Sequence, residues 1–136
     1  MDNNVVSSIS EALTQASIIS FKFNFRGVGR SEGEFSQGIG EQEDVGAAVS
    51  FMTTVKEVDS KRIGLVGYSA GAAFALPICV NNDKIKALAT VSLPLSMFDF
   101  EFLKDCLKPK LLISGSKDDF TPASQFLKFC QSLSTP

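Results

Sequence analysis

The segment Gly67-Tyr68-Ser69-Ala70-Gly71 fits the pattern G-x-S-x-G, and its surroundings constrain the fold more than any other part of the sequence. The short apolar run before it, residues 62–66, predicts a buried strand, and the small residues 70–76 after it predict a helix. A serine on such a sharp turn has a strained backbone, and glycines beside it let the strand and the helix approach closely. The segment therefore favours strands that alternate with helices.

The rest of the chain shows the same alternation. Apolar residues at helical spacing predict helices near the start of the chain, after Gly38 and after the cap signal Thr121-Pro122, while Pro77 predicts a stop or kink near Leu76. The predicted strands are residues 18–25, 62–66, 85–92 and 110–114. We therefore predict one α/β domain over residues 1–136, a three-layer sandwich with a mainly parallel central sheet.

Three of the predicted helices have a distinct apolar face. These faces comprise Val5, Val6, Ile9, Ala12, Leu13 and Ala16 in the first, Val45, Ala48, Val49, Met52 and Val55 in the second, and Phe126, Leu127, Cys130 and Leu133 in the last. In a parallel sheet covered by such helices, ligands bind beyond the carboxyl ends of the strands. The loops after Phe25, Tyr68, Ser92 and Ser114 are therefore where chemistry is expected.

Two of these loops carry residues suited to nucleophilic catalysis. The turn exposes the Ser69 hydroxyl, the following helix contributes its positive dipole end, and the Ala70 amide is placed to donate to a developing oxyanion. Asp118 and Asp119 follow the strand 110–114, in the chain order of a Ser…Asp…His triad. The alternatives are that Ser69 is a helix cap in a tight turn and that both aspartates are solvated turn residues.

The glycines at 27, 29 and 33 raise a second interpretation, a dinucleotide-binding loop after a strand. The pattern G-x-G-x-x-G requires glycine at position 32, where the chain has Glu32, whose charge would repel a pyrophosphate. We therefore disfavour nucleotide binding.

Composition and charge exclude several classes of function. A net charge of -2 gives no basic stripe for nucleic acid or for an anionic membrane surface. Cys79, Cys106 and Cys130 are odd in number, widely spaced and without a histidine, so we predict buried free thiols, no metal site and no cofactor. The start of the chain lacks the apolar run of a secretory signal, and a cytoplasmic location is expected.

At several separate places the sequence resembles the α/β-hydrolase superfamily, and in particular its small lidless members of the dienelactone-hydrolase-like kind. The resembling segments are residues 1–6, 23–33, 67–71, 98–103 and 108–122. Of these, the segment 98–103 contains Phe98, Phe100 and Phe102, which we expect either to line the site or to pack in the core. The resemblance implies that Ser69 is the nucleophile, that the Ala70 amide is one oxyanion donor and that Asp118, four places before Pro122, is the acid. Asp119 is the alternative candidate for the acid. It also implies an open site for a small ester, thioester or amide.

The sequence differs from this family in two respects, namely the absence of histidine and the absence of the strands that the family has at either end. It contains no histidine, and it resembles strands four to seven of an eight-stranded fold, cut at both ends, without the loop that supplies the second oxyanion amide. We therefore weigh two hypotheses: a serine hydrolase with weak or no turnover as written, and a non-catalytic hydrolase-like module. The exposed sheet edges of such a cut fold would favour self-association.

Overall fold

The computed structural model describes residues 3–135 and divides into two compact units, one up to Ser60 and one from Lys61. The first unit holds the helices α1 (Asn4–Gln15) and α2 (Ile39–Met52). The second holds β1 (Ile63–Tyr68), α3 (Ala70–Val80), β2 (Ile85–Val91), a 3-10 turn (Glu101–Leu103), β3 (Lys110–Ile113) and α4 (Ala123–Gln131). The resemblance predicted at Met1 and Asp2 lies outside the described residues, and the single domain over residues 1–136 stays a prediction.

Near the start of each helix of the first unit, a side chain accepts hydrogen bonds from backbone amides. The Asn3 side chain accepts hydrogen bonds from the amides of Val5 and Val6, at 3.0 and 3.2 Å. At α2 the buried carboxylate of Glu41 accepts from the Gly38 amide at 2.7 Å. Burial raises the pKa of Glu41, but hydrogen bonds from amides, among them those of Ser36 and Gly38, outweigh this effect and hold it below its ordinary value.

The strand predicted at residues 18–25 is not formed: among residues 3–135 this segment has no strand ladder. Its side chains nevertheless alternate as in a strand. Ser20 bonds to Ser10 of α1 at 2.8 Å, while the ring of Phe21 lies 5.1 Å from that of Phe51 in α2. The prediction was wrong because alternation specifies which face is apolar, whereas a strand also needs a hydrogen-bonded neighbour.

The second unit is built on a parallel sheet with the order β1-β2-β3. The strands predicted around residues 63, 85 and 110 are confirmed, but the first is only partly buried rather than buried as predicted, since Val66 is 43% exposed. Helix α3 packs on one face of the sheet, and the buried residues include Ala72, Leu76, Ile85 and Leu88. This connection, with a helix between two adjacent parallel strands, places the residues after β1, β2 and β3 at the same edge of the sheet.

Of the stop or kink predicted near Leu76, the stop is not formed, because helix α3 continues through Pro77 to Val80. A proline inside a helix removes one hydrogen bond and costs about 3 kcal/mol. Leu76 is 1% exposed and Cys79 is fully buried, so the last turn of the helix lies in the apolar interior. Burying two such side chains stabilises the turn by a comparable amount, which explains why the helix persists.

The predicted apolar faces are partly confirmed. Val45 and Val49 of α2 are buried, but Val55 lies beyond the end of that helix. Leu127 of α4 is exposed, and Leu133 follows the end of α4. Among the described residues no helix is long and apolar enough to span a bilayer.

Candidate functional site

Ser69 lies between β1 and α3 in a strained backbone conformation, with φ 50° and ψ -128°. Few residues other than glycine adopt positive φ, so this geometry marks a local cost that the surrounding structure must offset. The Ser69 amide donates to the carbonyl of Val91 at 3.0 Å, and the Ser69 carbonyl accepts from the amide of Ala72 at 2.9 Å. The turn is therefore held from the sheet side and from the helix side.

Gly67 is what allows this turn to be so tight. A Cβ placed on Gly67 would lie 2.5 Å from the Cα of Ala72 and 2.7 Å from its Cβ. Contacts this short do not occur, so α3 would have to move away from β1. The close approach expected at the first glycine of the pattern is present.

The two groups proposed to act on a substrate at this turn have no partner in the described part of the chain. Ser69 is half-buried, and its hydroxyl makes no hydrogen bond there. Ala70 is exposed at the first position of α3, and none of these residues accepts from its amide. The amide is thus available to a ligand, at the positive end of the helix dipole.

Ser69 and Asp118 follow β1 and β3, which are separated by β2. These two strands are therefore two interstrand spacings apart, about 10 Å, and no hydrogen bond joins the two side chains among the described residues. A group that bridged them would lie above the carboxyl end of β2, across the gap between β1 and β3.

Asp118 lies in a turn directly after β3. Its amide donates to the carbonyl of Gly115 at 3.1 Å, and one carboxylate oxygen, Oδ1, accepts from the amide of Phe120 at 3.0 Å. Asp118 is half-buried, whereas Asp119 is exposed. These hydrogen bonds hold Asp118 in the turn, whereas the Asp119 side chain has no hydrogen-bond partner among the described residues.

Thr121 does not cap the last helix, contrary to our prediction. It is fully buried, and its hydroxyl donates to the carbonyl of Leu93 and accepts from the amide of Leu95 at 3.1 Å. The residue at the helix start is Pro122, which offers no side-chain cap. Thr121 instead connects the loop after β2 to the loop that carries Asp118, since its hydroxyl bonds to both Leu93 and Leu95, which also bond to each other at 2.9 Å.

A row of serines follows the three strands, and sequence reasoning identified a role for only the first of them. Ser92, like Ser69, has a positive φ, 51°, and its amide donates to the carbonyl of Ile113 at 2.8 Å. Ser114 follows β3, and its buried hydroxyl has no hydrogen-bond partner among the described residues. The signal available in the sequence was a polar residue directly after each buried apolar strand.

The glycine-rich loop of the first unit is closed by its own backbone. The Gly27 amide donates to the carbonyl of Glu32 at 3.1 Å, and a Cβ on Gly27 would lie 3.2 Å from the carbonyl oxygen of Gly33. Helix α2 begins only at Ile39, so these glycines do not open a helix. This arrangement lacks the helix start that a dinucleotide site needs.

Arg26 anchors this loop to α2, a role that no local sequence signal indicates. Its guanidinium donates to Asp44 at 2.8 Å and to Glu43 at 3.0 Å, and its amide donates to Asp44 at 2.9 Å. The hydrogen bond from the Arg26 side chain holds the pKa of Asp44 below its ordinary value, against the opposing effect of burial.

The three cysteines are free, as predicted. Cys79 and Cys106 are buried, while Cys130 is half-buried rather than buried. Burial raises the pKa of Cys79 to about 12 despite the nearby charge of Lys108, and burial also raises that of Cys130. A thiol is nucleophilic as thiolate, so Cys79 is inert at neutral pH.

The aromatic residues of the segment after β2 divide between core and surface. Phe100 is buried, whereas Phe98 and Phe102 are each 37% exposed. The ring of Phe98 lies 6.1 Å from that of Phe74 in α3, in an edge-to-face arrangement. Phe100 therefore packs in the core, whereas part of the Phe98 ring is exposed to solvent.

Several solved structures share this fold. An α/β serine hydrolase homologue from Coxiella burnetii is 32% identical with a TM-score of 0.89, and covers 100% of this chain and 64% of its own. An α/β serine hydrolase without a lid from Xanthomonas campestris is 30% identical with a TM-score of 0.84, over 98% of this chain and 59% of its own. The fold is thus that of an α/β hydrolase, and the predicted α/β class with its parallel sheet is confirmed.

Sequence comparison narrows this class to one family. The profile of the dienelactone hydrolase family matches residues 35–135, and the chain belongs to that family. An uncharacterized protein of Rickettsia prowazekii is 29% identical over an alignment of 137 positions, which covers 98% of this chain and 57% of that protein. The chain therefore spans about three fifths of the length of these relatives.

Proposed function

We propose that this chain carries the nucleophile and the acid of a serine hydrolase that cleaves an ester, thioester or amide through an acyl-enzyme at Ser69. The observation that carries the proposal is the conformation of Ser69, a non-glycine residue with φ 50° at the turn from strand β1 to helix α3. The family membership supports hydrolysis, and a strained residue with an unpartnered hydroxyl supports this position as the reacting one.

In the proposed reaction the Ser69 oxygen bonds to the carbonyl carbon of the substrate, and the Ala70 amide donates to the resulting oxyanion. The leaving group departs with a proton, and water then releases the acyl group and restores the hydroxyl. A base must take the Ser69 proton, and Asp118 would orient that base across the gap above β2. The chain has no histidine, so we expect it to turn over slowly or not at all by itself.

We further propose a small or flexible substrate and a cytoplasmic location. The segment between β2 and β3 is short, in agreement with the lidless Xanthomonas campestris neighbour, and a site without a lid admits substrates freely. Three free cysteines agree with a reducing compartment. Within such a site the acyl group would lie against the edge of the sheet.

A second candidate is a non-catalytic hydrolase-like module. The observation that favours it is the absence of histidine from the sequence. In that case the scaffold would be kept for binding, and Ser69 would have no chemical role.

Chemical rescue separates the two candidates. Hydrolysis of p-nitrophenyl acetate is measured with the 136-residue chain and with Ser69→Ala, each over a range of imidazole concentrations, and the rate with imidazole alone is subtracted. We expect imidazole to act as the missing base, so that the remaining rate rises for the wild type and not for Ser69→Ala. The same rise in both proteins, or no rise in either, contradicts the proposal and favours the module.

A fluorophosphonate probe gives an independent readout of the same serine. We expect little labelling of the wild type without imidazole, because the hydroxyl stays protonated, and increased labelling with it. Strong labelling without imidazole that Ser69→Ala abolishes would confirm the nucleophile but contradict the expected low reactivity.

A further inference from the structure

A groove of about 260 Å³ lies between the segment that follows β2 and helix α4, and the proposed hydrolase reaction does not use it. Its apolar walls include Leu95 and the rings of Phe98, Phe100 and Phe129. Phe98 is 37% exposed, so part of its ring faces the groove without being covered by the core. Neither Ser69 nor Asp118 lines this groove.

The groove also contains charged groups of both signs. Lys104 and Glu101 neutralise each other in an ion pair of 2.6 Å. Lys128 has no ion-pair or hydrogen-bond partner among the described residues. Asp99 accepts from the amide of Glu101 at 2.8 Å through one oxygen only, which leaves its charge uncompensated by any basic side chain. One cation and one anion are therefore available to a ligand.

We propose that this groove binds a small zwitterion with an aromatic side chain, the chemistry of an aromatic α-amino acid. The ligand carboxylate would pair with the Lys128 ammonium, its own ammonium would pair with Asp99, and its ring would pack on Phe98 and Phe129. The Gln125 side-chain amide, which donates to the Leu95 carbonyl only at 3.5 Å, is free to turn toward the carboxylate.

The size of the groove sets the expected size and affinity of the ligand. A volume of about 260 Å³ is slightly below the usual range for ligand sites, about 300 to 1,000 Å³, so the groove admits at most one aromatic ring with a short polar group. Its charged groups are exposed to solvent, which weakens each ion pair. We therefore expect a dissociation constant of about 1 mM for L-phenylalanine.

The test is a titration of the 136-residue chain, labelled with ¹⁵N, followed by amide chemical shifts. L-phenylalanine is compared with phenylacetate, which lacks the ammonium, and with phenethylamine, which lacks the carboxylate. We expect shifts centred on residues 95–104 and 125–132, and dissociation constants about fivefold or more weaker for both single-charge compounds. Equal affinity for either of them, or no saturable shifts in these segments, would overturn the proposal.

Substitutions identify the two charges without changing the shape of the groove. Lys128→Gln is expected to weaken L-phenylalanine binding by about fivefold and to leave phenethylamine binding unchanged, because only the carboxylate contact is lost. Asp99→Asn keeps the oxygen that accepts from Glu101 and is expected to do the converse. Lys84→Gln removes the same charge at the amino end of β2, outside the groove, and is expected to have no effect. Equal weakening by Lys84→Gln and Lys128→Gln would mean that only net charge matters.

Discussion

The amide of Ser69 donates a hydrogen bond of 3.0 Å to the carbonyl oxygen of Val91, the last residue of β2. The amide of Ser92 donates in the same way to Ile113, the last residue of β3, at 2.8 Å. The parallel ladder therefore extends one residue beyond β1 and β2, into the two residues of this edge that have positive φ. These hydrogen bonds help to offset the strain that each turn contains.

The strain at Ser69 predicts that Ser69→Gly stabilises the protein. Positive φ costs a non-glycine residue about 1 to 3 kcal/mol, and glycine avoids this cost but loses about 0.5 to 1 kcal/mol through the greater freedom of its unfolded chain. The Ser69 hydroxyl has no hydrogen bond to lose. We expect a net gain of about 0.5 to 2 kcal/mol in the free energy of unfolding, measured by urea denaturation.

Ser69→Ala is the matched control for that experiment. It removes the same hydroxyl but keeps the Cβ and therefore the strain, so its stability should stay within about 0.5 kcal/mol of the wild type. Equal stability of the alanine and glycine variants would show that the turn is not strained.

Gly67→Ala should be strongly destabilising because its Cβ would lie 2.5 Å from the Cα of Ala72. The helix must shift on the sheet, and overpacking of this kind costs about 1 to 3 kcal/mol or more. Gly46→Ala in α2 is the control, since a Cβ there meets nothing within 4 Å and alanine favours helix by about 1 kcal/mol. Urea denaturation should move the midpoints of the two variants in opposite directions; a shift in the same direction would contradict the close-approach argument.

Thr121→Val should destabilise the protein more than Thr121→Ser. Valine keeps the shape but loses both hydrogen bonds of the hydroxyl, at about 0.5 to 1.5 kcal/mol each, and leaves the Leu93 carbonyl and the Leu95 amide only the bond of 2.9 Å between them. Serine keeps the hydroxyl and loses only one buried methyl group, at about 1 kcal/mol. Hydrogen exchange of the Leu95 amide should accelerate in the valine variant alone. Comparable stability and exchange in both variants would show that the hydroxyl is not the fastening group.

The hydrogen bonds from Arg26 to Asp44 predict that the stability of the protein depends on pH. Because the Arg26 hydrogen bond lowers the folded pKa of Asp44, ionised Asp44 stabilises the fold above an unfolded pKa of about 4, and this contribution is lost as the pH falls through the folded value. Asp44→Asn should lower the melting temperature by about 2 to 5 °C at pH 7. The difference from the wild type should shrink on acidification toward pH 2; a constant difference would exclude linkage to this carboxylate.

Local patterns in the sequence were sufficient for much of the second unit. Three apolar runs predicted β1, β2 and β3, and the pattern around Ser69 predicted a strand, a sharp turn and a helix, all of which the structure contains. These features follow from residues close together in the chain, since side-chain periodicity and glycine conformation act over a few positions. The chemical roles of Ser69, Ala70 and Asp118 stay predictions.

Other features depended on residues distant in the chain. The alternating segment 18–25 has no strand ladder, because pairing needs a neighbouring strand that alternation does not supply. Helix α3 continues past Pro77 because its end is buried, and Thr121 fastens two loops instead of capping a helix. The sequence by itself determined the order and type of most elements of the second unit and the turn at Ser69. Only the tertiary structure decided pairing, burial and the partners of buried polar groups, because each requires two parts of the chain to meet.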